Sequence, residues 1–556
     1  MKKISAITRL RQLATALCAA SLIFVAAAAQ AEPRSLMTNH VPQAVASGVA
    51  PLVAHVPGTQ RLSLAISLPL RNQAELDNLL QQLYDPQSPS YHKYLSVQEF
   101  ADRFGPAKSD YEAVLRFAET YGLAVVEMFD NGMVVDVEAP AANIEKAFHI
   151  NLGIYQHPTE HRTFYAPDRE PRVDLDVPLL HISGLDNFTL PHAKNVRSSQ
   201  RPGAQPLASK GTGSGPGGDF IGSDMRAAYY GSGPLAGAGQ SVGLLEYAGY
   251  EVSDVQNFFK KVQEPLFVPI NGISLNGAPL SCPPATCDDS EQVLDMEMAI
   301  SMAPHLSQVQ VYVGYLDVSI FNRMASDNTS KQVSCSWGWL DDESSLDPIF
   351  EEMAAQGQSI FVASGDDGSA DPGDDVWPAD DPFVTAVGGT DLNTTGPGGA
   401  WLSESGWALS AGGPSKNGIP IPYYQLLPGV LNSSNHASTV VRNYPDVAAE
   451  ANTNQYSCYD GYCAGGNGGT SYAAPLWAGF TAMANEQSLA MGGTTVGFLN
   501  PAIYNIGVGS SYDSDFHDIL KGSNGKFKDV TGFDLVTGWG SPNGPNLIDA
   551  LVGTAQ

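Results

Sequence analysis

A glycine-rich loop that delivers a serine to the start of a helix is the most specific chemical feature of the sequence. Residues 466–475 read GNGGTSYAAP and the apolar run LWAGF follows, so Ser471 is expected at a helix N-terminus. Backbone N–H groups and the positive end of the helix dipole would stabilise an anionic intermediate there. Ser471 is therefore a candidate nucleophile, although such loops also supply ordinary helix-capping serines.

A serine nucleophile needs a base, and carboxylates are better placed for that role than the histidines. Residues 289–297 read DSEQVLDME, in which Glu291 and Asp295 lie one helical turn apart and share a helix face. Two carboxylates this close cannot easily both ionise, so they would titrate as a coupled pair that can carry a proton. A solvated acidic helix face is the competing interpretation.

A further acidic residue follows an apolar strand. Residues 361–369 read FVASGDDGS, which places Asp366 at the carboxyl end of the strand, where a parallel sheet gathers its active residues. A protonated carboxyl there could donate a hydrogen bond to an oxyanion, whereas the alternative is a turn aspartate. Each motif is weak alone, and their combination indicates a hydrolytic site.

Apolar strands that alternate with helices must position these side chains. Strands are predicted at residues 241–247, 308–313, 332–336 and 359–363, and helices at 291–302, 345–355 and 471–487. This alternation predicts an α/β domain with a parallel sheet covered by helices on both faces.

The first part of the chain has a different pattern. Helices are predicted at residues 75–84, 109–121 and 141–148, and a strand at 133–137. These signals indicate a compact α+β unit with antiparallel strands. The following segment, residues 198–218, is rich in Gly, Ser and Pro and predicts an exposed, protease-accessible linker.

The net charge divides the chain in the same place. Of the 556 residues, the first 200 carry 17 basic and 20 acidic residues, whereas residues 201–556 carry 12 and 38. Eight of the eleven histidines lie in the first 200 residues. The length predicts more than one domain, and the strong acidity excludes a nucleic-acid-binding surface.

The N-terminus and the cysteines predict export. Residues 1–31 have a basic start, an alanine-rich apolar run and a final Ala-Gln-Ala, which favours a cleaved secretory signal over a membrane anchor. Two closely spaced cysteine pairs predict local disulfides rather than a zinc site, since no histidine is near; they are Cys282 with Cys287 and Cys458 with Cys463. Cys335 is expected as a buried free thiol.

Taken together, these motifs resemble the sedolisin family of serine-carboxyl peptidases. Residues 83–95, LYDPQSPSYHKYL, are similar to the family's activation prodomain, and residues from about 219 to 550 resemble its catalytic domain. The resemblance implies a subtilisin-like α/β catalytic domain, with a parallel sheet flanked by helices, after an α+β prodomain with a ferredoxin-like antiparallel sheet. The implied division is a signal peptide at 1–31, a prodomain at 32–195, a processing linker at 196–218 and a catalytic domain at 219–556.

The resemblance also implies roles for the residues singled out above. Ser471 matches the nucleophile, Glu291 its general base, and Asp295 the acid that orients and relays. Asp366 matches the residue that donates to the oxyanion. Two further positions match residues that extend the hydrogen-bond network in some members, namely Glu246 and Trp337.

The C-terminal segment resembles the family's calcium site, which holds one ion. The implied ligands are two side chains and three backbone carbonyls, from Asp518, Asp534, Ile519, Val530 and Gly532. Carboxylates and carbonyls are the hard oxygen ligands that calcium prefers. Many relatives have glycine at the position of Val530, and a surface acidic loop is the alternative.

The resemblance implies a secreted or periplasmic, monomeric serine endopeptidase, made as a zymogen, that acts on proteins or peptides in acid. Its own prodomain would inhibit it and be removed autocatalytically at low pH, and no membrane contact is expected after signal removal. We further predict that the prodomain histidines charge below about pH 6 and loosen the prodomain. A histidine-dependent hydrolase, using His305, His436 or His517, and a non-catalytic binding protein are the alternatives.

Overall fold

The computed structural model describes residues 34–197, 211–284, 286–340, 345–369, 374 and 376–553. The predicted signal peptide, residues 1–31, and residues 198–210 of the predicted linker lie outside this part of the chain. Among the described residues, no helix combines the length and apolar character needed to cross a membrane.

Residues 34–197 form the α+β unit expected from the sequence. Its helices are α1 (Gln43–Ala46), α2 (Gln73–Leu83), α3 (Val97–Arg103), α4 (Lys108–Tyr121) and α5 (Ala141–Phe148). Its strands are β1 (Arg34–Ser35), β2 (Leu52–His55), β3 (Arg61–Ser67), β4 (Ala124–Met128), β5 (Val134–Pro140), β6 (Leu152–Gln156), β7 (Thr163–Pro167), β8 (Arg172–Val173), β9 (His181–Ser183), β10 (His192–Ala193) and β11 (Val196–Arg197).

An antiparallel sheet with the order β4-β5-β3-β9 forms the centre of this unit. Alternate residues of β3 and β5 point into one core, in which Ile66 and Val137 pack with Phe117 of α4 and Phe148 of α5. Apolar residues recur at every second position in β3 and β5 and at helical spacing in α4 and α5. Each of these elements therefore has an apolar face that is buried in this core. The predicted α+β prodomain with antiparallel strands is confirmed.

Residues from 211 onward form a second, larger unit. Its helices are α6 (Gly222–Tyr229), α7 (Val252–Val262), α8 (Ser290–Met302), α9 (Asp317–Asp327), α10 (Asp347–Ala355), α11 (Thr470–Ala490), α12 (Asn500–Gly507), α13 (Tyr512–Asp515) and α14 (Gly544–Leu551). Its strands are β12 (Ser241–Glu246), β13 (Ile270–Ser274), β14 (Gln308–Val313), β15 (Gln332–Cys335), β16 (Trp337–Gly338), β17 (Ser359–Ala363), β18 (Thr385–Thr394), β19 (Trp401–Gly406), β20 (Gly413–Pro414), β21 (Asn443–Tyr444), β22 (Val447–Glu450), β23 (Gln455–Tyr459), β24 (Tyr462–Gly468), β25 (Phe516–His517) and β26 (Ser541–Pro542).

The main sheet of this unit has the order β13-β14-β12-β15-β17-β18-β19, and β22 also pairs with β18. Every pairing in it is parallel except that of β18 with β19. Each predicted strand is present, because apolar runs between turns become the buried strands of a parallel sheet. The predicted mostly parallel α/β domain is confirmed.

Helices α8 and α11 cross the sheet and pack closely on each other. All residues of α8 are buried, and a Cβ placed on Gly479 of α11 would lie 2.9 Å from the Cβ of Met302. Small residues in α11 therefore allow the two helices to approach. The helix predicted from residue 345 begins at Asp347, with Pro348 in its first turn.

The cysteines pair as predicted. Disulfides join Cys282 to Cys287 and Cys458 to Cys463, and Cys335 is free and buried. The second disulfide closes the hairpin of β23 and β24.

The described ends of the predicted linker lie against the second unit. Val196 and Arg197 form β11, which pairs with β24, and the backbone N–H and hydroxyl of Ser214 both donate to the carboxylate of Asp224.

Candidate active site

The carboxyl ends of three parallel strands meet at one edge of the main sheet. Strand β12 ends at Glu246, β15 leads into Ser336, and β17 leads into Asp366. Helices α8 and α11 bring Glu291, Asp295 and Ser471 to the same edge, so the four predicted catalytic side chains come together. All of them are at most 5% exposed.

Ser471 is the second residue of α11 and is fully buried. Its hydroxyl donates to the carbonyl oxygen of Ser336 at 3.3 Å, and its backbone N–H donates to the carbonyl oxygen of Lys194 at 3.0 Å. Pro475 lacks the N–H that would bond the Ser471 carbonyl within the helix, and this carbonyl instead lies 3.5 Å from the hydroxyl of Ser336. The start of the helix is thus held by Ser336 on one side and by the carbonyl of Lys194 on the other.

The carboxylates around Ser471 form a buried acidic group. Asp295 accepts a hydrogen bond from the hydroxyl of Ser336 at 2.7 Å, and Glu246 accepts one from the indole N–H of Trp337 at 3.0 Å. Burial, followed by the charges of Glu246 and Glu291, raises the pKa of Asp295 well above its usual value. Burial and the charge of Glu291 raise the pKa of Glu246 in the same way. Such a group holds protons in acid and can pass one on.

Asp366 faces the N-terminus of α11. Its carboxylate accepts hydrogen bonds from the N–H and the hydroxyl of Thr470, at 2.8 and 2.9 Å. Burial raises the pKa of Asp366 to about 7, although the bonds from Thr470 oppose the shift. In acid this carboxyl is neutral and can donate a hydrogen bond.

Gly469 provides the space between Asp366 and the start of α11. Its φ of 126° lies in the region that favours glycine. A Cβ there would lie 2.3 Å from the carbonyl oxygen of Lys194 and 2.7 Å from Oδ2 of Asp366. Only glycine therefore leaves room for a carbonyl beside both the Asp366 carboxyl and the Ser471 N–H.

A segment of the first unit occupies this cleft. Strand β10 pairs antiparallel with β16, and β11 pairs antiparallel with β24. Between these strands, the N–H of Lys194 donates to the carbonyl of Ser336 at 2.9 Å, and the side-chain amide of Asn195 donates to Glu291. Lys194 and Asn195 are neighbours in the chain. Lys194 contacts the predicted nucleophile, Ser471, and Asn195 contacts the predicted base, Glu291.

Sequence reasoning missed three residues of the cleft, namely Ser336, Thr470 and Asn195. Ser336 follows β15, and its Ser-Trp-Gly motif was a usable signal. Asn195 comes from a segment 96 residues away from Glu291, and no local pattern predicts that contact.

The histidines of the second unit lie elsewhere. His517 stacks on Trp401 with ring centroids 4.0 Å apart, and burial lowers its pKa to about 4. His305 meets the edge of Phe267, and His436 has a positive φ in a loop. Within the described part of the chain, none of the three contacts Ser471.

The predicted calcium ligands lie together near the C-terminus. Asp518 accepts hydrogen bonds from the hydroxyl of Tyr512 at 2.8 Å and the N–H of Gly532 at 3.1 Å. Asp534 is 1% exposed and accepts a bond from the N–H of Val530 at 3.1 Å. The loop from 530 to 534 therefore wraps around both carboxylates.

The donor set of this loop fits a hard cation. In the described part of the chain, no hydrogen bond reaches the carbonyl oxygens of Ile519, Val530 or Gly532. A carboxylate that sequence reasoning missed, Asp529, is 8% exposed, and its Oδ1 has no hydrogen-bond partner. No Lys or Arg pairs with the Asp518 or Asp534 carboxylate among the described residues. No group of three His, Cys, Asp or Glu side chains there has metal-binding geometry, so carbonyls would have to complete the shell.

The chain is similar to known peptidases along most of its length. The family model described as Pro-kumamolisin, activation domain, matches residues 50–188. Kumamolisin of Bacillus sp. (strain MN-32) is 27% identical, over 94% of this chain and 97% of that protein. Sedolisin of Pseudomonas sp. (strain 101) is 27% identical, over 90% of this chain and 88% of that protein.

The second unit is similar to a solved structure. Pseudomonas sedolisin, a serine-carboxyl proteinase complexed with two molecules of pseudo-iodotyrostatin, matches with a TM-score of 0.50 and 26% identity. The match covers 60% of this chain and 98% of that structure.

Proposed function

We propose, from the similarity of this chain to kumamolisin and sedolisin, that it is a serine-carboxyl endopeptidase of the sedolisin family that acts in acid and is made as an autoactivating zymogen. Residues 32–195 act as the prodomain, 196–218 as the processing linker and 219–556 as the catalytic domain, after removal of a signal peptide at 1–31. The protein is exported and acts as a monomer on peptide bonds of other proteins.

The observation that supports this proposal most is the peptide segment seated beside Ser471. A backbone carbonyl accepts a hydrogen bond from the Ser471 N–H, and the next residue contacts Glu291. This is the arrangement that acyl transfer requires, because a nucleophile, a base and an oxyanion donor surround one peptide bond.

In the proposed mechanism, Ser471 Oγ attacks the substrate carbonyl carbon while Glu291 takes the hydroxyl proton. Asp295 and Glu246 hold a second proton between them, so Glu291 can change its charge inside a buried site. The oxyanion accepts hydrogen bonds from the Ser471 N–H and from neutral Asp366.

The proton on Glu291 then passes to the leaving amine, and the carbon–nitrogen bond breaks to give an acyl-enzyme on Ser471. Water deprotonated by Glu291 hydrolyses the ester and restores the serine. Asp366 must be protonated throughout, which restricts the reaction to acid.

Digestion of casein at pH 4 tests this function. We expect digestion by the acid-treated wild type and none by Ser471→Ala or Glu291→Gln, whereas His517→Ala should keep its activity. A Ser471→Ala protein that still digests casein would contradict the proposal, and loss of activity in His517→Ala would favour the histidine-dependent alternative.

We also propose that one Ca²⁺ binds the C-terminal loop through the side chains of Asp518 and Asp534 and the carbonyls of Ile519, Val530 and Gly532. The ion would neutralise buried carboxylates and hold the loop in shape. It takes no part in the peptidase chemistry, because Ser471 and its acidic neighbours lie at a different part of the fold.

Calorimetric titration with calcium chloride tests this site. We expect one ion per chain, and a chelator should lower the melting temperature of the precursor. Asp534→Asn should abolish binding, whereas Asp513→Asn, a change at an exposed neighbouring acid, should leave it intact. Equal binding by the two variants would overturn the assignment.

A further inference from the structure

Residues 192–197 follow shortly after the matched activation domain, which ends at residue 188, and they cross the active site as two short strands, β10 and β11, joined by Lys194 and Asn195. On one side of Ser471, His192 pairs with Gly338 and Ala193 with Trp337. On the other side, strand β11 pairs with β24 at Asn467 and Gly468. Added strands of this kind are a common way in which proteins hold peptide ligands.

The junction between the two pairings falls on one peptide bond. The carbonyl of Lys194 accepts the N–H of Ser471 at 3.0 Å, and the N–H of Lys194 donates to the Ser336 carbonyl at 2.9 Å. Lys194 is 6% exposed, so the strand is buried at this point. The Lys194 carbonyl and the Asp366 carboxyl both border the position that a Cβ on Gly469 would occupy. The Lys194 carbonyl oxygen therefore lies within about 5 Å of Asp366 Oδ2.

We propose that Lys194–Asn195 is the first bond that the enzyme hydrolyses, in its own chain and before the prodomain dissociates. The inference rests on the proposed peptidase function and adds the identity of the bond. The neighbouring bonds do not qualify, because the Lys194 carbonyl alone in this strand reaches the Ser471 N–H among the described contacts.

The reaction is a hydrolysis and balances without a further reagent. Ser471 Oγ bonds to the Lys194 carbonyl carbon, and its proton passes through Glu291 to the nitrogen of Asn195 as the Lys194–Asn195 bond breaks. Water then cleaves the ester. The products are a chain that ends in the Lys194 carboxylate and a chain that begins with the Asn195 amine.

Two contacts would delay cleavage of this bond in the precursor near neutral pH. The Ser471 hydroxyl points to the Ser336 carbonyl, and the Asn195 amide occupies Glu291, so nucleophile and base are each engaged elsewhere. Asp366, whose pKa burial raises to about 7, is largely ionised above that pH and cannot donate to the carbonyl. Acidification supplies the missing proton while the strand remains in place.

Time-resolved intact mass and N-terminal sequencing of the acidified precursor test the assignment. The first new N-terminus should be Asn195 and the first released fragment should end at Lys194. The first-order rate constant should stay the same when the precursor is diluted tenfold, since the reaction is intramolecular. A first cut at any other bond, or a rate that falls with dilution, would overturn the proposal.

A matched pair of variants separates the bond from its side chain. Asn195→Pro makes the bond a tertiary amide with no N–H, and it should lower the cleavage rate at this position by about 100-fold or more. Asn195→Ala removes the same side-chain amide but keeps an ordinary peptide bond, so it should still be cut after Lys194. Equal release of the prodomain by both variants would contradict the assignment, and their melting temperatures report whether each is folded.

Failure of this inference is distinguishable from failure of the proposed function. A precursor that digests casein through Ser471 but leaves Lys194–Asn195 intact overturns the bond assignment and leaves the peptidase proposal standing. A Ser471→Ala precursor that is still cut at Lys194 in the absence of other proteases overturns both.

Discussion

At the scale of residues, the site is a set of buried carboxyl groups that share protons around one hydroxyl. Burial and nearby carboxylates raise the pKa values of Asp295 and Glu246. Burial raises the pKa of Asp366 to about 7. These groups are neutral over most of the acid range, whereas an ordinary aspartate is ionised above pH 4. The proposed acid dependence therefore follows from burial and not from a special residue type.

Two replacements of Asp366 distinguish the effect of its charge from the effect of its hydrogen bond to the oxyanion. A neutral Asp366 donates to the oxyanion and an ionised one repels it, so wild-type kcat should fall as the pH rises through about 7. In acid, Asp366→Ala should lose about 100- to 1,000-fold in kcat, and this loss should shrink as the pH rises through about 7, where the wild type also lacks a donor. Asp366→Asn keeps a donor that does not titrate, so it should lose less. The measurement is the initial rate of peptide cleavage by the mature enzyme from pH 3 to 8, and an Asp366→Asn profile that falls at the wild-type pH would contradict this role.

At the scale of elements, the hairpin of β23 and β24 forms one wall of the cleft. Its last strand ends at Gly468, next to the glycine that shapes the oxyanion region, and it pairs with β11 of the seated strand. The Cys458–Cys463 disulfide closes this hairpin at its far end. The disulfide therefore supports residues that hold the part of the substrate beyond the cleaved bond.

Removal of this disulfide should affect both stability and binding. A covalent loop this short restricts the unfolded chain by about 2 kcal/mol, so Cys458→Ser/Cys463→Ser should be destabilised by about that amount. It should also have a raised KM for peptides that extend beyond the cleaved bond, with little change in kcat.

The matched control is Cys282→Ser/Cys287→Ser, which opens a loop with the same sequence separation of 5. Among the described residues, the strand of the cleft does not pair with this loop, so a similar loss in melting temperature without a change in KM is expected. A raised KM in both variants would mean that the hairpin has no specific part in binding.

At the scale of the whole molecule, protons strengthen the docking of the prodomain at some contacts and weaken it at others. Asp136 of β5 accepts the hydroxyl of Ser319 at 2.8 Å, and Glu352 of α10 accepts the amide of Asn131 at 2.7 Å. Burial raises the pKa of Asp136 to about 7 and that of Glu352 to about 8. Burial lowers the pKa of His92 to about 4.

The raised pKa values of the carboxyls and the lowered pKa of the histidine have opposite effects on docking as the pH changes. Carboxyls with raised pKa values favour the docked state when protonated, so their contribution is full in acid and is lost as the pH rises through 7 to 8. A histidine with a lowered pKa favours docking when neutral, so its contribution is lost as the pH falls from about 6.5 to 4. The raised carboxyls therefore favour docking in acid, whereas the histidines of the first unit with lowered pKa values, His92, His157 and His181, favour release. The histidine trigger expected from the sequence stays a prediction.

Two variants of the inactive Ser471→Ala precursor test this balance. Glu352→Gln mimics the protonated carboxyl, so it should raise the melting temperature at pH 8 and leave it unchanged at pH 5. His92→Phe should raise the melting temperature at pH 4 and leave it unchanged at pH 7. Shifts of either variant that do not depend on pH would show that burial, and not protonation, decides the docking.

The sequence predicts the elements and the positions of the candidate site better than the contacts between units. Helix and strand patterns locate α5, β14 and β17 at their observed bounds, because local periodicity determines them. Motifs locate Ser471 and Glu291 in the first turns of helices and Asp366 shortly after a strand, and Asp295 follows one helical turn after Glu291. The hydrogen bond between Asn195 and Glu291 depends on how the two units meet, and no local sequence pattern predicts that.

The strand seated in the cleft is covalently tethered to its enzyme until it is cut, and this affects what its sequence can tell about preference. A tethered substrate has an effective concentration far above any that a free peptide reaches, so it is cut even when its side chains fit the pockets poorly. We expect a peptide library to yield substrates whose best sequences differ from HAKNVR, residues 192–197, and which are cut faster than this sequence when both are supplied as free peptides.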